Sequence, residues 1–184
     1  MSKIWEVFIS NCKQRYCPGE NITIDEQLLA FRGRCGFRMY VANNPAKYGL
    51  KIMMVCHRKN NYMLNAIPYL EKTKPPDAVV LGHYITMELC KPYFCRKRGI
   101  TGDNCFTSES LGLRLCLKKD LTYVDNIRKN KREIPDEMTD KTGFLNRQCE
   151  FVFDDNITLL TSVAQKVIRK ACCSLFIYVT SCYS

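Results

Sequence analysis

Apolar residues at Ile4, Trp5, Phe8, Ile9 and Cys12 recur every three or four positions, the period of a helix with one buried side, and Pro18-Gly19 bounds it. From Ile22 the period changes to two. Ile22, Ile24 and Leu28 alternate with Thr23, Asp25 and Gln27, which predicts a strand buried on one face, with Asp25 pointing away from its flanking isoleucines. Phe37 to Val41 and Leu50 to Cys56 predict two further strands across the turn-forming Asn43-Asn44-Pro45, and Tyr62 to Ile67 a fourth. The short links between them favour antiparallel pairing.

Beyond the loop Lys74-Pro75-Pro76-Asp77 the pattern turns helical, and Tyr84, Met87 and Glu88 predict a short helix that stops at Pro92. A brief strand at Ile100-Thr101 delivers Asp103 to its C-terminal end. Thr107 or Ser108 then caps a helix carrying Leu111, Leu115 and Leu117, weakened somewhat by Gly112. Leu121 to Ile127 predicts the next strand, which runs into Arg128-Lys129-Asn130-Lys131-Arg132. Helix, three or four strands, helix, strand, helix, strand is the order of an α/β fold, a mixed sheet with helices beside it.

Composition narrows the class. A chain of 184 residues with 46% hydrophobic positions can build the core of one domain, or most of one. Lys and Arg number 28 against 18 Asp and Glu, a net charge of +10, so nucleic acid is favoured as a partner over an acidic small molecule. Twelve cysteines follow an N-terminus, Met1 to Ser10, that lacks the pattern of a secretory signal, so reduced thiols in the cytosol or nucleus are expected. The longest apolar run, Ala171 to Tyr183, is broken by Ser and Thr and falls short of the roughly 18 to 20 residues that cross a bilayer. No transmembrane helix is expected. Cys12 and Cys17, Cys90 and Cys95, His57 and His83 invite a zinc reading, but the cysteine gaps differ from the two-residue knuckles of structural sites, and buried reduced thiols are favoured.

Particular segments carry a resemblance to a family. Asn21 to Leu29 (NITIDEQLL), followed by Phe31-Arg32-Gly33-Arg34-Cys35 and Lys47-Tyr48-Gly49-Leu50-Lys51, resembles the surroundings of the first catalytic aspartate of the piggyBac transposases and the genes domesticated from them. Thr101 to Ser108 (TGDNCFTS) resembles the segment around their second, and Arg128 to Pro135 (RKNKREIP) is similar to a basic motif after the next strand. The similarity runs from about Ile4 to about Leu160. It implies that residues 1–160 are a partial catalytic core of ribonuclease-H-like fold, incomplete at its C-terminal end, with the start of an inserted domain near 145–160 and a divergent tail at 161–184.

What the resemblance implies chemically is cut-and-paste DNA transposition at TTAA sites through metal-dependent strand cleavage and transfer. Asp25 and Asp103 are the implied catalytic and metal-holding residues, adjacent ligands for Mg²⁺ or Mn²⁺ if the strands pair as expected. Carboxylates suit such ions because these are hard and prefer oxygen. Arg128, Lys129, Lys131 and Arg132 are the candidate DNA-phosphate contacts, and Arg32, Arg34 and Arg38 are subject to the same test. The third family aspartate lies in a Gly-Gly-Val-Asp segment that does not occur before Ser184, and neither Asp154 nor Asp155 is promoted to its place.

This chain alone is therefore expected to bind metal weakly and not to cut DNA. Further departures from the pattern are Cys105 at a usually aromatic position, His57 where a carboxylate is common, and Asp125-Asn126 interrupting a smooth strand. The expected partner is double-stranded DNA in the nucleus, with no membrane and no small-molecule substrate, and a homodimer is left open. Three classes of function stand at this point: an active transposase completed by a longer gene product, a non-catalytic DNA-binding protein, and a degenerate fragment without a stable fold.

Overall fold

In the computed structural model, residues 2–70, 75, 79–139, 148–163 and 173–179 are described. Lys74, Pro76 and Asp77 of the expected loop lie outside them, as does most of 161–184. The chain divides into two compact units, Met1–Tyr93 and Phe94–Ser184.

The first unit opens with α1 (Ser2–Arg15), which packs on β4 (Met63–Pro68). Of the expected apolar stripe, Ile9 and Cys12 are buried while Ile4 and Phe8 are exposed, so the helix rests on its C-terminal half. That half is fastened by rings: Tyr16 stacks on Tyr62 with centroids 4.4 Å apart, and its hydroxyl lies 2.8 Å from Nδ1 of His57. The Asn60 amide donates to the same hydroxyl at 2.9 Å.

β1 (Asn21–Ala30) pairs antiparallel with β3 (Tyr48–His57) over nine residues, from Ile22 opposite His57 to Ala30 opposite Gly49. β2 (Met39–Tyr40) and β4 are both antiparallel to β3, as the short links required. Alternation works as the sequence indicated: Ile22 and Ile24 are buried, with Met53, Val55, Leu64 and Ala66. The strand expected at Phe37 to Val41 shrinks to two residues. The Arg38 guanidinium donates to the carbonyls of Arg32 and Gly33 at 3.1 and 3.2 Å and sits over the Tyr48 ring, holding that stretch as a loop. α2 (Leu81–Cys90) buries Ile85, Leu89 and Cys90, and the buried Asn65 amide satisfies the Leu89 carbonyl at 2.9 Å.

In the second unit, β5 (Arg98–Thr101) and β6 (Leu121–Asn126) run parallel, joined through α3 (Glu109–Lys119) as parallel neighbours must be. Ser108 is the cap: its hydroxyl accepts from the Leu111 N–H at 3.3 Å. At the other end Asp120 takes a left-handed conformation, φ 53°, and its N–H returns to the Leu115 and Cys116 carbonyls, with Lys118 and Lys119 in the last turn opposite the helix dipole. β6 continues through Asp125 and Asn126, contrary to the expected interruption, because Asp125 finds hydrogen-bond partners on the buried side.

Three strands extend this sheet beyond the expected order. β6 pairs antiparallel with β9 (Cys173–Val179), β9 with β8 (Ile157–Val163) and β8 with β7 (Cys149–Phe153). Asp154 and Ile157 exchange backbone hydrogen bonds at 2.8 and 3.3 Å, closing the β7–β8 hairpin around Asp155 and Asn156. Among the described residues no helix is long and apolar enough to cross a membrane.

Candidate functional site

Asp25 sits midway along β1, opposite Met54 of β3, on the face its buried isoleucine neighbours do not use. It is exposed, and its Oδ1 accepts the Glu26 N–H at 2.7 Å. Its charge is felt nearby: burial raises the Cys56 thiol above its ordinary value, and Asp25 raises it further. On the opposite face Glu26 pairs with Lys51 at 2.5 Å, so that acid is already neutralised.

Asp103 stands two residues past the end of β5, as expected, in the turn that leads to α3. Its carboxylate is exposed and its Oδ1 accepts the Asn104 N–H at 2.7 Å. Its carbonyl accepts from the Phe106 N–H at 2.8 Å and the Thr107 hydroxyl at 3.2 Å, which fixes the turn from behind. Asp25 belongs to the first unit and Asp103 to the second.

A third acid lies inside the second unit. Asp125 is buried on β6, 3% exposed, and accepts from the Tyr123 hydroxyl at 2.7 Å and the Asn126 N–H at 2.7 Å. Burial raises its carboxyl above the ordinary value; hydrogen bonds from Thr107, Tyr123 and Asn126 oppose the rise, and the charge of Asp103 adds to it. The signal was present as alternation, since Leu121, Tyr123, Asp125 and Ile127 occupy one buried face.

The donor chemistry of Asp25 and Asp103 suits a hard divalent cation. Each carboxylate uses one oxygen on the next residue's N–H and makes no ion pair among the described residues, leaving lone pairs for a metal. Three or more His, Cys, Asp or Glu side chains do not converge in a metal-holding group among the described residues. Of the residues in the zinc reading, Cys12 and Cys90 are buried, and burial pushes the Cys90 thiol up to about 12; Cys17 and Cys95 are exposed. His57 serves the Tyr16 and Asn60 cluster.

The basic segment after β6 forms turns, with the Lys131 N–H bonded to the Arg128 carbonyl at 3.1 Å and the Ile134 N–H to the Lys131 carbonyl at 3.3 Å. Lys129 and Arg132 are exposed and Lys131 half-buried, none of them in an ion pair among the described residues. Arg128 differs: its Nε donates to Asn104 Oδ1 at 3.1 Å, and a second guanidinium nitrogen lies 3.4 Å from Cys105 Sγ. Arg32 and Arg34 are exposed, whereas Arg38 is engaged by carbonyls and a ring.

The family described as Transposase IS4 matches the chain over residues 1–184. Among solved structures, the chain is similar to piggyBac transposase, determined by cryo-EM in a synaptic complex with hairpin DNA. The two are 42% identical with a TM-score of 0.88, over 96% of this chain and 36% of that one. The chain thus spans about a third of the length of that transposase. A fainter likeness, to Ciona intestinalis endonuclease V in complex with inosine-containing DNA, has a TM-score of 0.32 at 11% identity, over 97% of this chain and 82% of that one, and carries no weight.

Proposed function

Because the chain belongs to the transposase family of IS4 and piggyBac, and shares its ribonuclease-H-like fold, we propose that it binds duplex DNA and presents Asp25 and Asp103 to divalent metal. The observation that carries this reading is the state of the two acids: both exposed, both with oxygens to spare, in the segments that match the family. A divalent ion, when bound, activates the attacking oxygen of a phosphodiester cleavage or stabilises the leaving one.

The chain's own residues prepare for that chemistry. The N–H groups of Glu26 and Asn104 fix one oxygen of each carboxylate, so the other is oriented before a cation arrives. Lys129, Lys131 and Arg132, with Arg128, Arg32 and Arg34, supply positive charge for phosphates, which gives affinity without reading sequence. The reaction class is DNA strand cleavage and transfer, with TTAA as the preferred insertion sequence, Mg²⁺ or Mn²⁺ as the ion, and the nucleus as the place where such a partner is met.

Taken by themselves, these 184 residues bind DNA without cutting it. Two carboxylates hold an ion weakly, and among the described residues no group of three His, Cys, Asp or Glu side chains gathers to hold it better. The test is to incubate the purified protein with Mg²⁺ or Mn²⁺ and a transposon-end duplex flanked by TTAA. Retarded mobility at low salt without strand breaks is the expected result. Specific nicks would overturn the inactivity, and absence of any complex at low salt would overturn DNA binding.

A further inference from the structure

We infer that Arg128 is a positioning residue for Asp103, acting through Asn104, and not only one member of a set of phosphate contacts. The inference rests on the reading of Asp103 as a metal-holding carboxylate. β5 and β6 are parallel with Thr101 opposite Val124, so the residues just beyond the two strand ends run side by side. Ile127, buried one residue past the end of β6, fixes the backbone from which Arg128 departs.

From there the contacts form a relay. The Arg128 Nε donates to Asn104 Oδ1 at 3.1 Å, and the Asn104 N–H donates to Asp103 Oδ1 at 2.7 Å. A second guanidinium nitrogen reaches Cys105 Sγ at 3.4 Å, so Arg128 grips two successive residues of the turn. Phe106 and Thr107 hold the same turn through the Asp103 carbonyl; Arg128 supplies the outer hold.

The guanidinium orients the acid without neutralising it. Arg128 and Asp103 do not form an ion pair within 4.0 Å among the described residues, so the carboxylate keeps its charge for a cation. A planar fork with fixed donor directions can span Asn104 and Cys105, whereas the single ammonium of a lysine cannot reproduce both contacts. The outer partners of metal ligands work in this way, holding the ligand's orientation.

The test compares Mn²⁺ binding by electron paramagnetic resonance in the full chain and in four variants: Asp103→Asn, Arg128→Lys, Asn104→Leu and the double variant of the last two. Arg128→Lys preserves charge, so a phosphate contact survives it and the relay does not. The expected result is a loss of Mn²⁺ affinity of about tenfold in Arg128→Lys and in Asn104→Leu, with no greater loss in the double variant. The melting temperature should stay at its original value in Arg128→Lys. A loss in Asp103→Asn with none in Arg128→Lys would overturn the relay alone. Undiminished binding in Asp103→Asn, or no binding by the original chain, would overturn Asp103 as a metal ligand and the relay with it.

Discussion

The Tyr123 hydroxyl donates to Oδ2 of Asp125 at 2.7 Å, a bond between two buried residues on the same face of β6. It supports a carboxyl whose pKa burial has raised, so the folded chain binds that proton more tightly than the unfolded one. The stability this group contributes is complete below the ordinary carboxylate value and is lost as pH rises through the folded-state value. Asp125→Asn should therefore raise the urea midpoint at neutral pH and flatten the pH dependence above the ordinary carboxylate range. Tyr123→Phe should do the reverse at neutral pH, costing about 1 kcal/mol. Parallel pH profiles for the original chain and Asp125→Asn would contradict this account.

Gly112 lies in α3 where a side chain cannot be accommodated. A Cβ there would stand 2.7 Å from Cγ2 of Val179 and 3.2 Å from Cδ1 of Tyr123. Helix propensity alone favours alanine over glycine by about 1 kcal/mol, but overpacking against a stiff β-branched neighbour costs typically about 1–3 kcal/mol. Gly112→Ala is expected to lower the melting temperature, and a rise would show that β9 yields easily.

Ser108→Ala removes the acceptor for the Leu111 N–H at the start of α3. A loss of about 1 kcal/mol is expected in chemical denaturation, and Ser108→Asp should restore most of it. Equal stability of all three proteins would mean that another group has taken over the cap.

For DNA, alanine at Lys129, Lys131 or Arg132 should weaken binding to unrelated duplexes alike and lower the slope of log affinity against log salt by roughly 1 each. Arg38→Ala should act differently, because its guanidinium is spent on the Arg32 and Gly33 carbonyls and the Tyr48 ring. Its effect is expected in thermal melts more than in the salt slope. Titrations of labelled duplex at several salt concentrations separate the two behaviours.

Much of the framework could be read from the sequence where one period dominates. Ile22 and Ile24 against Thr23 and Asp25 gave β1 and the outward acid, and Ser108 before a leucine-bearing stretch gave the start of α3. The same logic applied to Leu121, Tyr123 and Asp125 would have placed an acid inside, but a carboxylate on a buried face contradicts the usual sorting of charges, and its hydroxyl and N–H donors emerge only once β6, β5 and α3 are packed. Gly112 looked like a weak point of a helix because its reason lies on another strand. Arg128 looked like one of four equivalent cations because the composition of a basic run does not say which member turns back onto Asn104. The hairpin of β7 and β8 lay in a stretch read mainly for family likeness, and β9 in one set aside as a tail.

Asp25 projects from a strand whose hold on β3 depends on backbone bonds and on the isoleucines beside it, and its own side chain fills no space in the core. An acid so placed can be exchanged for many other residues without the sheet registering the loss. Purifying pressure on folding alone would keep Ile22 and Ile24 and let Asp25 drift. Under the metal-holding role proposed for Asp25, the letter at position 25 answers to that chemistry and not to the packing of the sheet, so a lineage released from it would record its retirement there first.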